Sequence, residues 1–159
     1  MEKSTRDLEK VLGSTHPRDI GKYLKDHKKE LLGDRPFYHH LKDCIKANGL
    51  MWRDVFLNAD IGEKYGQKLI YGEKKARSRD VIVRLCWGGK LTLEQTQEAL
   101  ELYGLNKLYA RNPRDAALMI MFNHRPAEIS DIDNYLEENG MEKLYACHNE
   151  KSPRDGGNQ

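Results

Sequence analysis

Residues 51–74 read MWRDVFLNADIGEKYGQKLIYGEK, and this stretch decides the fold. Met51 to Asn58 has the spacing of a short helix with Val55 and Phe56 inward. Glu63 to Tyr71 is a second, closed by Gly72, which can take the left-handed conformation needed after a helix end. Between them, Ala59, Asp60, Ile61 and Gly62 form a turn of the length that separates two crossed helices. Aspartate tolerates the left-handed region better than most residues, so Asp60 suits that turn.

Helical periodicity continues on both sides. Residues 4–12 open with a capping serine or threonine and end at Gly13. Ser14, Thr15, His16 and Pro17 supply a cap and a proline suited to a first helical turn. Ile20, Tyr23, Leu24, His27 and Leu31 then share one face of a second helix, broken by Gly33 to Pro36. Phe37, Leu41, Cys44 and Ile45 line a third, which stops at Asn48 and Gly49. Downstream of the opening stretch, Arg77 to Trp87 turns Val81, Ile82 and Leu85 inward, and Thr92 caps a helix carrying Leu93, Thr96, Leu100 and Tyr103. No stretch alternates with period two for long enough to make a strand, so the expectation is an all-α protein.

The carboxy-terminal part repeats what precedes it. YGLNKLYA at 103–110 recurs as NGMEKLYA at 139–146, and Ser78, Arg79 and Asp80 match Pro113, Arg114 and Asp115. Trp87 matches Phe122, Leu93 matches Ile129, and Leu100 matches Leu136. Residues 78–110 and 113–146 therefore read as two copies of one helical hairpin, with one residue inserted in the second. A hairpin cannot bury its apolar face alone, so the second copy is expected to stack on the first. The expected organisation is a helical extension over 1–35, a helix-turn-helix domain over 36–110, a hairpin over 111–147 and a disordered tail over 148–159.

The chain of 159 residues is nearly neutral, at +2, but its charge is unevenly placed. The segment from Lys64 to Lys90 carries eight basic and two acidic residues, whereas Leu91 to Ala146 carries five basic and ten acidic. A positive block beside an acidic half suggests one face that meets a polyanion. No run is apolar enough to span a membrane, and the amino terminus has no apolar stretch of a signal peptide. Three scattered cysteines make neither a disulfide framework nor a CxxC pair, which points to a reduced, cytoplasmic protein.

With these residues laid out, the chain resembles the Xre family of transcriptional regulators over about residues 37–104. Residues 61–74, IGEKYGQKLIYGEK, fall where that family enters and leaves its recognition helix, with Ile61 and Leu69 at its apolar positions. FLNADI at 56–61, YGQKLIYGEK at 65–74, RDVI at 79–82 and LYARNPRD at 108–115 resemble a subset of small proteins that add flanking helices and a carboxy-terminal hairpin. The resemblance implies a lambda-repressor-like five-helix domain with N-terminal helices and a stacked C-terminal helical hairpin repeat. It also implies double-stranded DNA as partner, with the recognition helix over about 62–71. Gly66 departs from the family, which packs an apolar residue there, and Gly62 with Glu63 replaces the usual cap.

In that class of domain the second helix of the motif enters the major groove. Glu63, Lys64, Gln67, Lys68 and Tyr71 are expected to point outward, where lysine can donate to guanine, glutamine pair with adenine and glutamate accept from cytosine. Lys74, Lys75, Arg77 and Arg79 are expected to pair phosphates. One such domain makes few contacts, so a regulator would act as a homodimer on two half-sites.

The rival reading is a non-catalytic protein-interaction adaptor on the same fold. It would use the acidic carboxy-terminal half to dock a partner, and Trp52 and Tyr71 as aromatic anchors. His40 and Cys44 stand one helical turn apart and Cys147 is followed by His148, but zinc-motif spacing is absent, so no metal is expected. Nucleotide-binding, hydrolase and metalloprotease motifs are also absent, which argues against an enzyme and against a cofactor.

Overall fold

A computed structural model describes residues 3–126 and 128–145. The expected tail over 148–159 and the Cys147–His148 pair lie outside the described residues. The described chain is all-α, with nine helices and no strand among the described residues, and it divides into two compact units, Met1–Pro36 and Phe37–Gln159. No helix among the described residues is long and apolar enough to cross a membrane.

In the first unit, Ser4 caps α1 (Thr5–Gly13): its hydroxyl accepts from the Asp7 amide at 3.1 Å, and the Asp7 carboxylate accepts from the Ser4 amide. A 3-10 turn over Pro17–Asp19 leads into α2 (Ile20–Asp26). The sequence pattern carries this helix on to Leu31, but it stops at Asp26. The amides of Glu30 and Leu31 both turn to the carbonyl of His27, and the Glu30 carboxylate ties the His27 ring at 2.8 Å to the Lys3 amide at 2.5 Å. Tyr23 is buried, whereas Ile20 and Leu24 of the expected apolar face stay at least half exposed.

The second unit holds α3 (Pro36–Ala47), α4 (Trp52–Ala59), α5 (Glu63–Ile70), α6 (Arg79–Gly88), α7 (Leu93–Tyr103), α8 (Pro113–His124) and α9 (Ile129–Glu138). One apolar core runs from Phe37 to Leu144. Helix α6 is its axis, with Val81, Ile82, Leu85 and Cys86 fully buried. Helix α4 lies closely against it, because α6 ends in Gly88: a Cβ there would come 2.3 Å from the Val55 carbonyl oxygen and 2.9 Å from the Ala59 methyl.

The α4–α5 turn forms as the sequence suggests, with Asp60 left-handed at φ 56°. Gly66, the departure from the resembled pattern, has a packing reason. It is buried where α5 crosses α4, and a Cβ would sit 2.5 Å from the Phe56 ring. Phe56 is itself fully enclosed, so the ring cannot swing clear. Alanine would gain about 1 kcal/mol of helix propensity at Gly66, against about 1–3 kcal/mol for overpacking. We expect Gly66→Ala to lower stability by up to about 2 kcal/mol net, read as a fall in the urea midpoint at unchanged slope.

The two hairpins, α6–α7 and α8–α9, correspond along their helices, but the second does not continue the first by translation. Arg79 of the first copy pairs with Asp115 of the second, and Arg114 of the second pairs with Asp80 of the first, bidentately at 3.0 and 2.9 Å. Asp115 accepts from the Tyr109 amide and Asp80 from the equivalent Tyr145 amide, each at 2.9 Å. Each arginine also donates to the carbonyls that close its own hairpin, Asn106 and Lys107 for Arg79, Glu142 and Lys143 for Arg114. Matched Trp87 and Phe122 meet edge to face, 5.2 Å between ring centres. A translated stack would leave one arginine and one aspartate facing outward. Mutual exchange is instead the signature of a two-fold arrangement, here inside one chain.

Candidate nucleic-acid interface

Helix α5 is short, and its two sides divide cleanly. Gly66, Leu69 and Ile70 face the core, while Glu63, Lys64 and Gln67 are exposed and Lys68 is half-buried. Glu63, Gln67 and Tyr71 follow one another at four-residue steps, so they line one stripe of the outward surface. Gly62 offers no side-chain cap, which leaves the first-turn amides of α5 to solvent or to a ligand, with the Glu63 carboxylate among them.

Tyr71 closes the helix, 44% exposed, with its ring 5.4 Å from that of Tyr38 on α3. Tyr38 in turn stacks on Trp52 at 5.9 Å, and Trp52 on Phe56 at 6.0 Å. Trp52 is therefore half-buried within an aromatic row that ties α3 to α4, with Tyr71 as the outer member.

The loop after α5 is held in place by backbone bonds. Gly72 is left-handed at φ 81°, and the amides of Glu73 and Lys74 return to the Lys68 carbonyl at 2.8 and 3.1 Å. Lys74 places its ammonium 5.7 Å from the centre of the Tyr65 ring, and Lys75 5.5 Å from that of Tyr103. The Ala76 amide donates to the Tyr103 hydroxyl at 2.8 Å. These contacts tether the stems of two lysines beside α5 while both residues remain exposed, as does Arg77.

Arg79 departs from the phosphate-contact expectation. Its guanidinium is bound to Asp115 and to the carbonyls of Asn106 and Lys107, and it bridges the two hairpins. Arg84, which also contributes to the basic block, is 3% exposed and donates to the carbonyls of Ala59, Leu144 and Tyr145. The net positive charge of the segment thus overstates what reaches the surface. A signal for this lay in the repeat, because an Arg-Asp pair kept in both copies, one basic and one acidic in surroundings, answers to architecture rather than to a polyanion.

The His40 and Cys44 pair is placed one turn apart as spaced, with 4.0 Å between the ring nitrogen and the sulfur, but the same nitrogen lies 2.9 Å from the Gln95 carbonyl. Among the described residues no group of three or more metal-binding side chains forms. Burial pushes the Cys86 thiol up to about 12, although a hydrogen bond with Thr96 works the other way, so it stays protonated at neutral pH.

The chain matches no protein family, no curated protein and no solved structure.

Proposed function

We propose that the chain is a DNA-binding transcriptional regulator of the Xre type, reading duplex DNA through α5. The observation that carries this reading is the joint exposure of Glu63, Lys64 and Gln67 on one side of a short helix, with Lys74, Lys75 and Arg77 exposed in the loop beside it. Gln67 and Lys64 have the donors and acceptors that distinguish base edges, and Glu63 can accept from cytosine. Lys68 and Tyr71 flank them. The loop cations would fix position on phosphates without reading sequence. Arg79 drops out of that set and becomes a residue that holds the surface in shape.

Duplex titration over a salt series tests the reading. Affinity should fall steeply as salt rises, and Lys74→Ala with Lys75→Ala should make the log–log slope shallower by about 1–2, since each phosphate contact contributes about 0.9. Unchanged slope in that variant, or no binding to any duplex at low salt, overturns the reading.

A non-catalytic adaptor is the second reading, and one observation favours it. Ile120 on α8 and Tyr135 on α9 are 59% and 51% exposed, while their counterparts in the first copy, Leu85 and Ala99, are fully buried. The second hairpin, which belongs to the acidic half, thus leaves apolar side chains uncovered where the first has α3 and α4. A homodimer or a protein partner could use that face, and sedimentation of the free chain distinguishes the two.

A further inference from the structure

The chain ends its helices with a left-handed residue again and again, and at Gly49, Gly72, Gly104 and Gly140 that residue is glycine. The ends of α4, α6 and α8 break the habit, and at the first of these stands Asp60, of a residue type that tolerates this region. Lys90 and Arg125, which occupy matching places in the two hairpins, adopt φ of 60° and 51°. A side chain in this conformation is strained, and such strain persists where the surroundings demand that particular residue. The backbone at Lys90 is held from outside, since the Asn48 amide donates to the carbonyls of Gly89 and Lys90 at 2.8 and 3.1 Å.

Both strained cations open onto one cleft of about 560 Å³, walled by Leu57 and Asn58 of α4, by Trp87, and by Pro126, Glu128 and Ile129. Leu57, Trp87, Pro126 and Ile129 supply its apolar wall. The Arg125 guanidinium lies 4.7 Å from the Trp87 ring centre and 5.4 Å from that of Phe122. Among the described residues its guanidinium makes one hydrogen bond, a long one of 3.5 Å to the Trp87 carbonyl, and its Nη2 is buried with no partner. Burial draws the Arg125 pKa downward. A half-buried guanidinium with hydrogen-bonding capacity unused, in a cleft that also holds the exposed Lys90, favours an anion there.

We propose that this cleft binds a small organic anion, its single acid group held between Lys90 and Arg125 and its apolar body laid along Leu57, Trp87 and Ile129. The volume falls within the range of a small-molecule site. Glu128, the acid of the lining, repels a polyanion and so favours one acid group over a nucleic-acid backbone. The proposal does not rest on the duplex reading.

A structural alternative exists, because cations at helix carboxy-termini stabilise the exposed carbonyls there. The two accounts differ on Lys90→Gly, which removes the charge and relaxes the backbone. The test uses the full chain labelled with ¹⁵N and follows the indole N–H resonance of Trp87, identified by its loss in Trp87→Phe. The probes are cyclohexylacetate, cyclohexyl phosphate and the neutral cyclohexylacetamide. At least one anion should move the Trp87 resonance saturably, with the amide about tenfold weaker or worse, and whichever anion binds more tightly identifies the acid as carboxylate or phosphate. Lys90→Gly should weaken that anion by about fivefold or more while leaving the thermal midpoint unchanged or higher. The proposal is overturned if the amide titrates as well as the anions, if no probe saturates, if Lys90→Gly leaves the affinity unchanged, or if that variant melts lower and so reveals a helix-end role.

Discussion

Gly88→Ala is expected to be among the most disruptive single substitutions in the protein, costing about 3 kcal/mol or more even though alanine is the better helix former. The propensity gain is about 1 kcal/mol, and it is the smaller effect. The new methyl would meet the Val55 carbonyl oxygen at 2.3 Å and the Ala59 methyl at 2.9 Å. The first of these is backbone in the middle of a helix, which cannot turn aside as a side-chain tip can, so α4 must move bodily off α6. That movement would strain the 3.1 Å bond from the Asn58 amide to the Gly88 carbonyl and the 3.0 Å bond from Arg84 to the Ala59 carbonyl. Thermal unfolding should show a midpoint lowered by about 10 °C or more. A midpoint within about 2 °C of the parent would mean that the two helices do not cross as closely as described.

The second large effect is expected from Arg84→Met, at about 3–5 kcal/mol. Arg84 is 3% exposed, and its guanidinium donates to the Tyr145 carbonyl at 2.6 Å, the Ala59 carbonyl at 3.0 Å and the Leu144 carbonyl at 3.3 Å. Asp133 lies 4.0 Å away and supplies the balancing charge. Ala59 is the last residue of α4, where a helix leaves carbonyls without partners, so Arg84 completes that end as well as the chain after α9. Methionine fills a comparable volume and isolates the loss of hydrogen bonds from the creation of a cavity. It is also the residue that the second hairpin carries at the matching place, Met119, where no α4 needs capping. Urea unfolding of the variant measures the effect directly. A change below about 1 kcal/mol would show that water replaces the guanidinium, contrary to its burial.

Much of the architecture could be read from local patterns. The turn at Asp60, the glycine stops, the Ser4 and Thr92 caps and the hairpin repeat are short-range signals, and each is placed by the backbone chemistry that made it visible. Three things were hidden because they depend on partners distant in sequence. Periodicity cannot tell that Glu30 folds back on His27 and Lys3, so α2 stops short of Leu31. Alignment of the two hairpins shows which residues correspond but gives no orientation, which the crossed arginine–aspartate pairs supply. Charge counting, finally, treats every arginine as solvent-facing. Arg79 and Arg84 look like members of a basic surface until Asp115, which lies 36 residues beyond Arg79, and the Tyr145 carbonyl, which lies 61 beyond Arg84, are seen to claim them. The exposed set on α5 and its loop was legible because helical spacing alone separates Gly66, Leu69 and Ile70 from Glu63, Lys64 and Gln67.

The crossed arginine–aspartate pairs have a consequence for the order in which the molecule can be completed. During synthesis the chain emerges from its amino end, and α6 leaves the ribosome well before the residues that neutralise it. Arg79 waits for Asp115, and Asp80 waits first for Arg114 and then for the Tyr145 amide. Helix α6 therefore acquires its final charge balance only once the second hairpin has been made.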